Sequence, residues 1–275
     1  MTRIHLATRI SLALAASAAC TGAHAATITD WDFGAVAAVT PDDTPAPTTG
    51  TGTAASLGMT NTYTYGSVTG ATTLDDVTND GATASQTGST LGNGDVWRIR
   101  GQNPGNGWNT AAPQYSQGAQ FNVSTVGYTN IGVSFSWAAT TQGVANLQVQ
   151  YTTDGTDWVN VGPLLTATVD NGTPGTAGFG FATDTVDLSG ITAANDDANF
   201  GIRLVSAYNP TVGTYASATS VLAGKPVAIN DTSGNWRIAD VQIDGTVAPV
   251  PLPAAAWLLL SGLGGLGLFG RRRSA

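Results

Sequence analysis

The chain has 275 residues and a formal net charge of −8, and its 18 acidic side chains are all Asp, with no Glu anywhere. A surface this acidic repels nucleic-acid phosphates, which excludes DNA or RNA as a partner. Its two histidines, His5 and His24, and its one cysteine, Cys20, all fall in the first 25 residues. Past that point disulfides, Cys/His zinc sites, Ser-His-Asp triads and Cys-His pairs are excluded, because no imidazole or thiol is present.

Those first residues read as a signal peptide. Arg3 and Arg9 form a basic start, residues 10–19 an apolar run, and Ala23-His24-Ala25 an A-x-A cleavage signal. Signal peptidase is expected to cut after Ala25. Lipidation at Cys20 is disfavoured by Ser17, which stands where a lipobox wants an apolar residue. The body that follows, residues 26–246, contains Arg98, Arg100, Arg203, Lys225 and Arg237 as its five cations against all 18 Asp, a formal charge of −13. Asp without Glu suits tight turns better than helices, so the composition points to an all-β chain.

The body opens with Ile28, Trp31 and Phe33 among polar residues, an edge strand by its pattern. Residues 40–58 are Pro/Thr/Gly-rich and read as loop. A short strand is expected over 61–68 around Tyr63 and Tyr65, then another patternless stretch over 69–94. From residue 95 the alternation becomes regular. Strands are predicted over 95–101, 119–124, 130–138, 145–152, 157–161, 183–188, 200–205 and 235–245. Asp154-Gly155 is a hairpin turn. The imperfect alternation of Trp236, Ile238, Val241 and Ile243 predicts a bulge near Ala239-Asp240. Strands about ten residues apart, with Gly, Asn and Asp between them, make one antiparallel β-sandwich.

The body carries six tryptophans. Alternation places Trp97, Trp137, Trp158 and Trp236 among inward apolar residues, hence in the core. Trp108 sits in a Gly/Asn-rich loop without apolar neighbours, which makes it the candidate for stacking on a sugar ring, with Asn106 and Asn109 as hydrogen-bonding partners. Without His, Cys or Glu the body is read as non-catalytic. A glycan hydrolase built on two Asp carboxyls about 5–10 Å apart is the catalytic alternative. A structural or adhesive matrix protein without a pocket is the other.

The chain ends on a tail, residues 247–275. Val250-Pro251-Leu252-Pro253 leads into residues 254–270, which carry no charge, and Arg271-Arg272-Arg273 closes the run. As a helix those 17 residues span about 25 Å, close to the hydrocarbon core of a bilayer. The arginines favour the cytoplasmic side, and Trp257 suits the opposite interface. This tail resembles a PEP-CTERM sorting signal, in its Val-Pro-Leu-Pro-Ala-Ala-x-Trp form with Leu252 where Glu is usual. The resemblance implies a Gram-negative bacterium that makes exopolysaccharide, with an exosortase as partner. It also implies an intermediate anchored in the inner membrane and facing the periplasm, then a product at the cell surface or in the extracellular matrix.

The body has a resemblance of its own. Residues 130–137, 147–158, 199–203 and 235–241 are together similar to a galactose-binding-like jelly roll. That resemblance implies carbohydrate binding and one structural Ca²⁺, with Asp30 or Asp32 of the first strand meeting Asp240 of the last; the alternative is that these Asp side chains cap turns or face water.

Overall fold

The computed structural model describes residues 25–33, 40–41, 44–58, 76–78, 96–99, 108–167, 181–224, 227–229 and 234–248. Among the described residues thirteen strands run in chain order: β1 (Ala25–Trp31), β2 (Thr40–Pro41), β3 (Thr49–Gly50), β4 (Thr53–Leu57), β5 (Asp76–Thr78), β6 (Val96–Ile99), β7 (Gly118–Asn122), β8 (Tyr128–Ala139), β9 (Asn146–Thr152), β10 (Val159–Thr166), β11 (Ala182–Asp187), β12 (Gly201–Ser206) and β13 (Trp236–Val247). One short helix, α1 (Ala218–Ala223), lies before β13; Ser217 caps its start by accepting from Ser220 N, and Gly224 ends it in the left-handed region.

The strands form two antiparallel sheets. The first has the order β11-β8-β13-β6-β5-β2, with β1 also on β13 and β3 on β1; the second has the order β10-β9-β12-β7-β4. β13 is the axis of the first sheet. β8 runs along one side of it, while the other side is shared, Trp236–Ile238 pairing with β6 and the stretch from Val241 to Thr246 with β1.

The predicted bulge is present at the junction of those two partners. The β13–β8 register shifts between Ala239 and Gln242, and Asp240 takes φ 49°. An uninterrupted strand that turned Trp236 and Ile238 inward would turn Val241 and Ile243 outward. The extra residue resets the phase, so that all four are fully buried. A shift between Thr27 and Thr29 in β1 does the same for Ile28 and Trp31, which an odd number of residues would otherwise set on opposite faces.

The two sheets meet through aromatic rings. Phe121 of β7 packs edge-on against Trp31 of β1 at 5.0 Å and Trp97 of β6 at 5.9 Å between centroids. Trp236 meets Trp137 at 5.4 Å. Each ring removes roughly 150–250 Å² from water, worth about 4–6 kcal/mol before entropy is counted. Three of these indole nitrogens have acceptors: Trp31 donates to Pro45 O, Trp236 to Val144 O and Trp137 to an Asp184 carboxylate oxygen.

The strands predicted from residue 95 onward are all present. Two expectations nearer the start need correction. β1 is not an edge strand, since β13 and β3 flank it. The stretch read as loop over 40–58 contains β2, β3 and β4, and β4 forms an edge of the second sheet against β7. Only Ala54 of β4 is buried, so hydrophobic alternation could not announce it. The signal peptide up to His24, the strand expected over 61–68 and the tail from Pro249 lie outside the described residues. Among the described residues no helix is long and apolar enough to cross a membrane.

Candidate functional site

The second sheet has one face in the core and one facing away. Phe121, Leu147, Val149, Ile202 and Leu204 are buried between the sheets. Alternation must therefore send Gln120, Asn122, Gln150 and Arg203 to the other side. The registers align them. Asn160, Gln150, Arg203 and Gln120 stand opposite one another across β10, β9, β12 and β7, and Thr152, Gly201, Asn122 and Thr53 form the next row across β9, β12, β7 and β4.

Hydrogen bonds join these side chains in two runs, one along β9 and β10 and one along β12 and β7. Gln150 Nε2 donates to Asn160 Oδ1 at 2.9 Å, Arg203 Nε to Gln120 Oε1 at 2.8 Å, and Gln120 Nε2 to Asn122 Oδ1 at 3.0 Å. Asn160 Nδ2 donates in turn to the Tyr115 hydroxyl at 3.3 Å. Each bond fixes which side of an amide accepts and which donates, so the face presents an ordered set of polar groups.

Trp158 completes the face. Its ring lies over the Arg203 guanidinium, 3.8 Å from Cζ to centroid. The glycine at 201 is what lets it settle there. A Cβ on Gly201 would sit 2.8 Å from Asn122 Oδ1 and 3.1 Å from Trp158 Cη2. The ring edge and the Asn122 amide thus meet over bare backbone. Beside them opens a cleft of about 430 Å³, lined by Thr53, Gln120, Asn122, Gly155, Asn199 and neighbouring backbone. Among the described residues no Asp lines it, so they do not place there the carboxyl pair that glycoside hydrolysis needs.

The turn that delivers Trp158 is pinned by Asp154. Its Oδ1 accepts from Asp157 N and Thr156 N, both at 2.8 Å, and from Thr152 Oγ1 at 3.0 Å. The backbone bond from Asp157 is the largest cause holding its carboxyl at about 2, followed by that from Thr156. Gly155 takes φ 77° in this turn, as the predicted Asp-Gly hairpin requires.

Two of the tryptophan assignments are thereby corrected. Trp108 is no exposed stacking platform: it is 1% exposed and packs on Trp236 with centroids 4.7 Å apart. Its loop lacks apolar neighbours in sequence, but the fold brings one from far along the chain. Asn109 serves its own turn, its Oδ1 accepting from Ala111 N and its backbone pairing with the Gln117 amide, while Asn106 lies outside the described residues. Trp158, expected in the core, is half-buried on the outer face instead. A clue was present in the sequence. Trp158 and Val161 are three apart and cannot share a face of an uninterrupted strand, and Val161 is the one packed against the core.

Asp30, Asp32 and Asp240 come close enough to act on each other. Asp240 is raised to about 6, first by burial and then by the charges of Asp30 and Asp32. Asp30 is raised too, by burial, then Asp32, then Asp244. Asp32 is drawn to Thr48, whose hydroxyl donates to its carboxylate. Proximity does not make a cation site, since among the described residues no three carboxylates converge in a way that would hold a metal ion. The trio therefore does not fit the structural Ca²⁺ that the jelly-roll resemblance implies.

No protein-family model and no curated protein matches the chain. Solved structures do resemble it. The CBM22-1 xylan-binding domain from Paenibacillus barcinonensis Xyn10C is 14% identical, aligned over 72% of this chain and 94% of its own, with a TM-score of 0.34. A cleaved adhesin domain of Lys-gingipain from Porphyromonas gingivalis W83 is 11% identical over 62% of this chain and 83% of its own, at 0.34. The mannan-recognising carbohydrate-binding module TmCBM27 is 10% identical over 81% of this chain and 99% of its own, at 0.38.

Proposed function

We propose that this chain is an exported, non-catalytic protein whose β-sandwich binds carbohydrate on the outer face of its second sheet. The observation that carries the reading is Trp158, its ring over Arg203 on the same sheet face as a cleft whose lining includes the hydroxyls of Thr53 and Ser124 and the amides of Gln120, Asn122 and Asn199. An aromatic face packs on the apolar face of a pyranose, while fixed amides exchange hydrogen bonds with its hydroxyls. A purely structural sandwich would bury its tryptophans, as the first sheet does.

The terminal segments supply the rest of the proposal. Signal peptidase cuts after Ala25, the helix 254–270 holds the intermediate in the inner membrane facing the periplasm, and an exosortase reads Val250-Pro251-Leu252-Pro253 with Arg271-Arg272-Arg273 behind it. The protein then resides at the cell surface or in the matrix, with exopolysaccharide as its partner.

Binding is tested with the full chain, purified in mild detergent, by affinity electrophoresis against a panel of soluble polysaccharides. Retardation by at least one of them, abolished in Trp158→Ala, is expected. No retardation by any would leave a structural matrix protein in its place. Sorting is tested by deleting the exosortase in the native host, where the chain should stay larger and membrane-bound. Unchanged size and location would sink that half of the proposal.

A further inference from the structure

We propose that the ligand of this face is an acidic polysaccharide, with the guanidinium of Arg203 pairing a sugar carboxylate. The inference rests on the carbohydrate reading and narrows it.

Arg203 is one of five cations in a body that holds 18 Asp, so carboxylates outnumber cations more than three to one. Yet among the described residues it pairs with none of them. Its contacts are the bond from Nε to Gln120 Oε1 and the stack under Trp158. Among the described residues its terminal nitrogens have no hydrogen-bond partner, and neither is one of the buried side-chain atoms left without one. Burial has lowered its pKa from the usual arginine value, which marks a charge already partly stripped of water. A half-buried cation lacking a counter-ion is costly, and a ligand that brings an anion relieves that cost.

The geometry selects the kind of anion. Stacking covers one face of the guanidinium and the Gln120 bond fixes its rotation, leaving the in-plane donors at its far edge open. A planar carboxylate meets two such donors at once. Asp154, in the turn that delivers Trp158, is committed to the amides of that turn. The neutral amides of Asn160, Gln120 and Asn122, which are not buried, suit the hydroxyls of the same sugar chain.

The body's overall charge sharpens the expectation. At −13 it repels polyanions at long range, so attraction to one must come from this local site and not from diffuse charge. Binding should then depend on the carboxylate as a shape as well as a charge.

The test measures affinity of the full chain for polygalacturonate and alginate, for the esterified neutral form of each, and for dextran sulfate. At least one uronan is expected to bind about tenfold tighter than its esterified form, the scale of a charge-assisted hydrogen bond. Arg203→Gln should erase that preference while leaving residual binding to the neutral form, and Trp158→Ala should lose both. If the Gln variant shows a lowered melting temperature, Arg203→Lys is read instead, with the charge kept, the fork lost and the preference reduced. Equal affinity for acid and ester overturns the inference and leaves the carbohydrate reading standing. Binding that follows dextran sulfate equally well, unaffected at Arg203, also overturns it. Absence of binding to every polymer overturns both.

Discussion

The two sheets use the same residue in opposite ways. Trp31, Trp97, Trp137 and Trp236 of the first sheet are all fully buried, and they form its contribution to the core. The second sheet fills its side with Phe121, Leu147, Val149, Ile202 and Leu204. Trp158, just ahead of its β10, is turned to the far side and laid over a cation. The indole is the same; register and the neighbour beneath it decide whether it stabilises the fold or is available to a ligand. A tryptophan above Ile or Phe is packing. One above an arginine without a carboxylate is a surface.

The largest effect should come from breaking the first sheet's half of that comparison. Trp236→Ala removes a ring that touches Trp108 and Trp137 and is expected to cost about 3–5 kcal/mol, read by urea denaturation. Gly118→Ala should follow in size. Gly118 sits at φ 147° with a notional Cβ 2.0 Å from Leu204 O, so the side chain would pry β7 from β12; a loss of about 1–3 kcal/mol is expected in the same assay. Trp158→Ala sharpens the contrast from the other side. Stability should fall by about 1 kcal/mol or less, the worth of a partly exposed cation–π stack, while polysaccharide retardation disappears. Trp108→Ala should show the reverse, with stability lost and no effect specific to ligand.

The smallest effect lies in the first sheet's bulge and has a definite sign. Asp240 holds its proton up to about pH 6 in the folded chain, against an ordinary 3.8. Between those values the folded state binds more protons than the unfolded one, so stability is greatest below about 4 and declines as pH rises toward 6. Asp30 is shifted the same way and adds to the slope, whereas Asp154, held low, acts only in stronger acid. Asp240→Asn should flatten the melting temperature across that window. An unchanged slope would remove the carboxylate cluster as its source.

Much of the fold was legible because its strands are half-buried and alternate. Residues 130–138 show Ile131, Val133, Phe135 and Trp137 at every second position, and the structure builds β8 from them. The bulge was legible for the related reason that a phase slip between Ile238 and Val241 must be absorbed somewhere. β4 was not, because small residues packed at an edge leave no hydrophobic period. The site divides similarly. Its aromatic was in view but assigned to the wrong face. Arg203 was passed over as one position in a strand motif, although the alternation of Phe200, Ile202 and Leu204 already turned it outward. What no local pattern contains is that Gln120 would lie beside it, since that depends on β7 pairing with β12 across 80 intervening positions or so. The same holds for Trp108, whose burial depends on a partner far downstream.

The pairing of β1 with β13 has a consequence for how the molecule assembles. Ala25 lies opposite Thr246, so the first strand cannot find its place until nearly all of the chain is available. β6 and β8 dock on that same last strand. Contacts of such long separation make folding slow and late, since the ends must meet before the pairing can stabilise anything. Until β13 arrives, the first sheet has no centre, and a chain cut short anywhere before Trp236 would leave β1, β6 and β8 as open edges. Completion of the last strand is therefore the step that joins β1, β6 and β8 into one sheet.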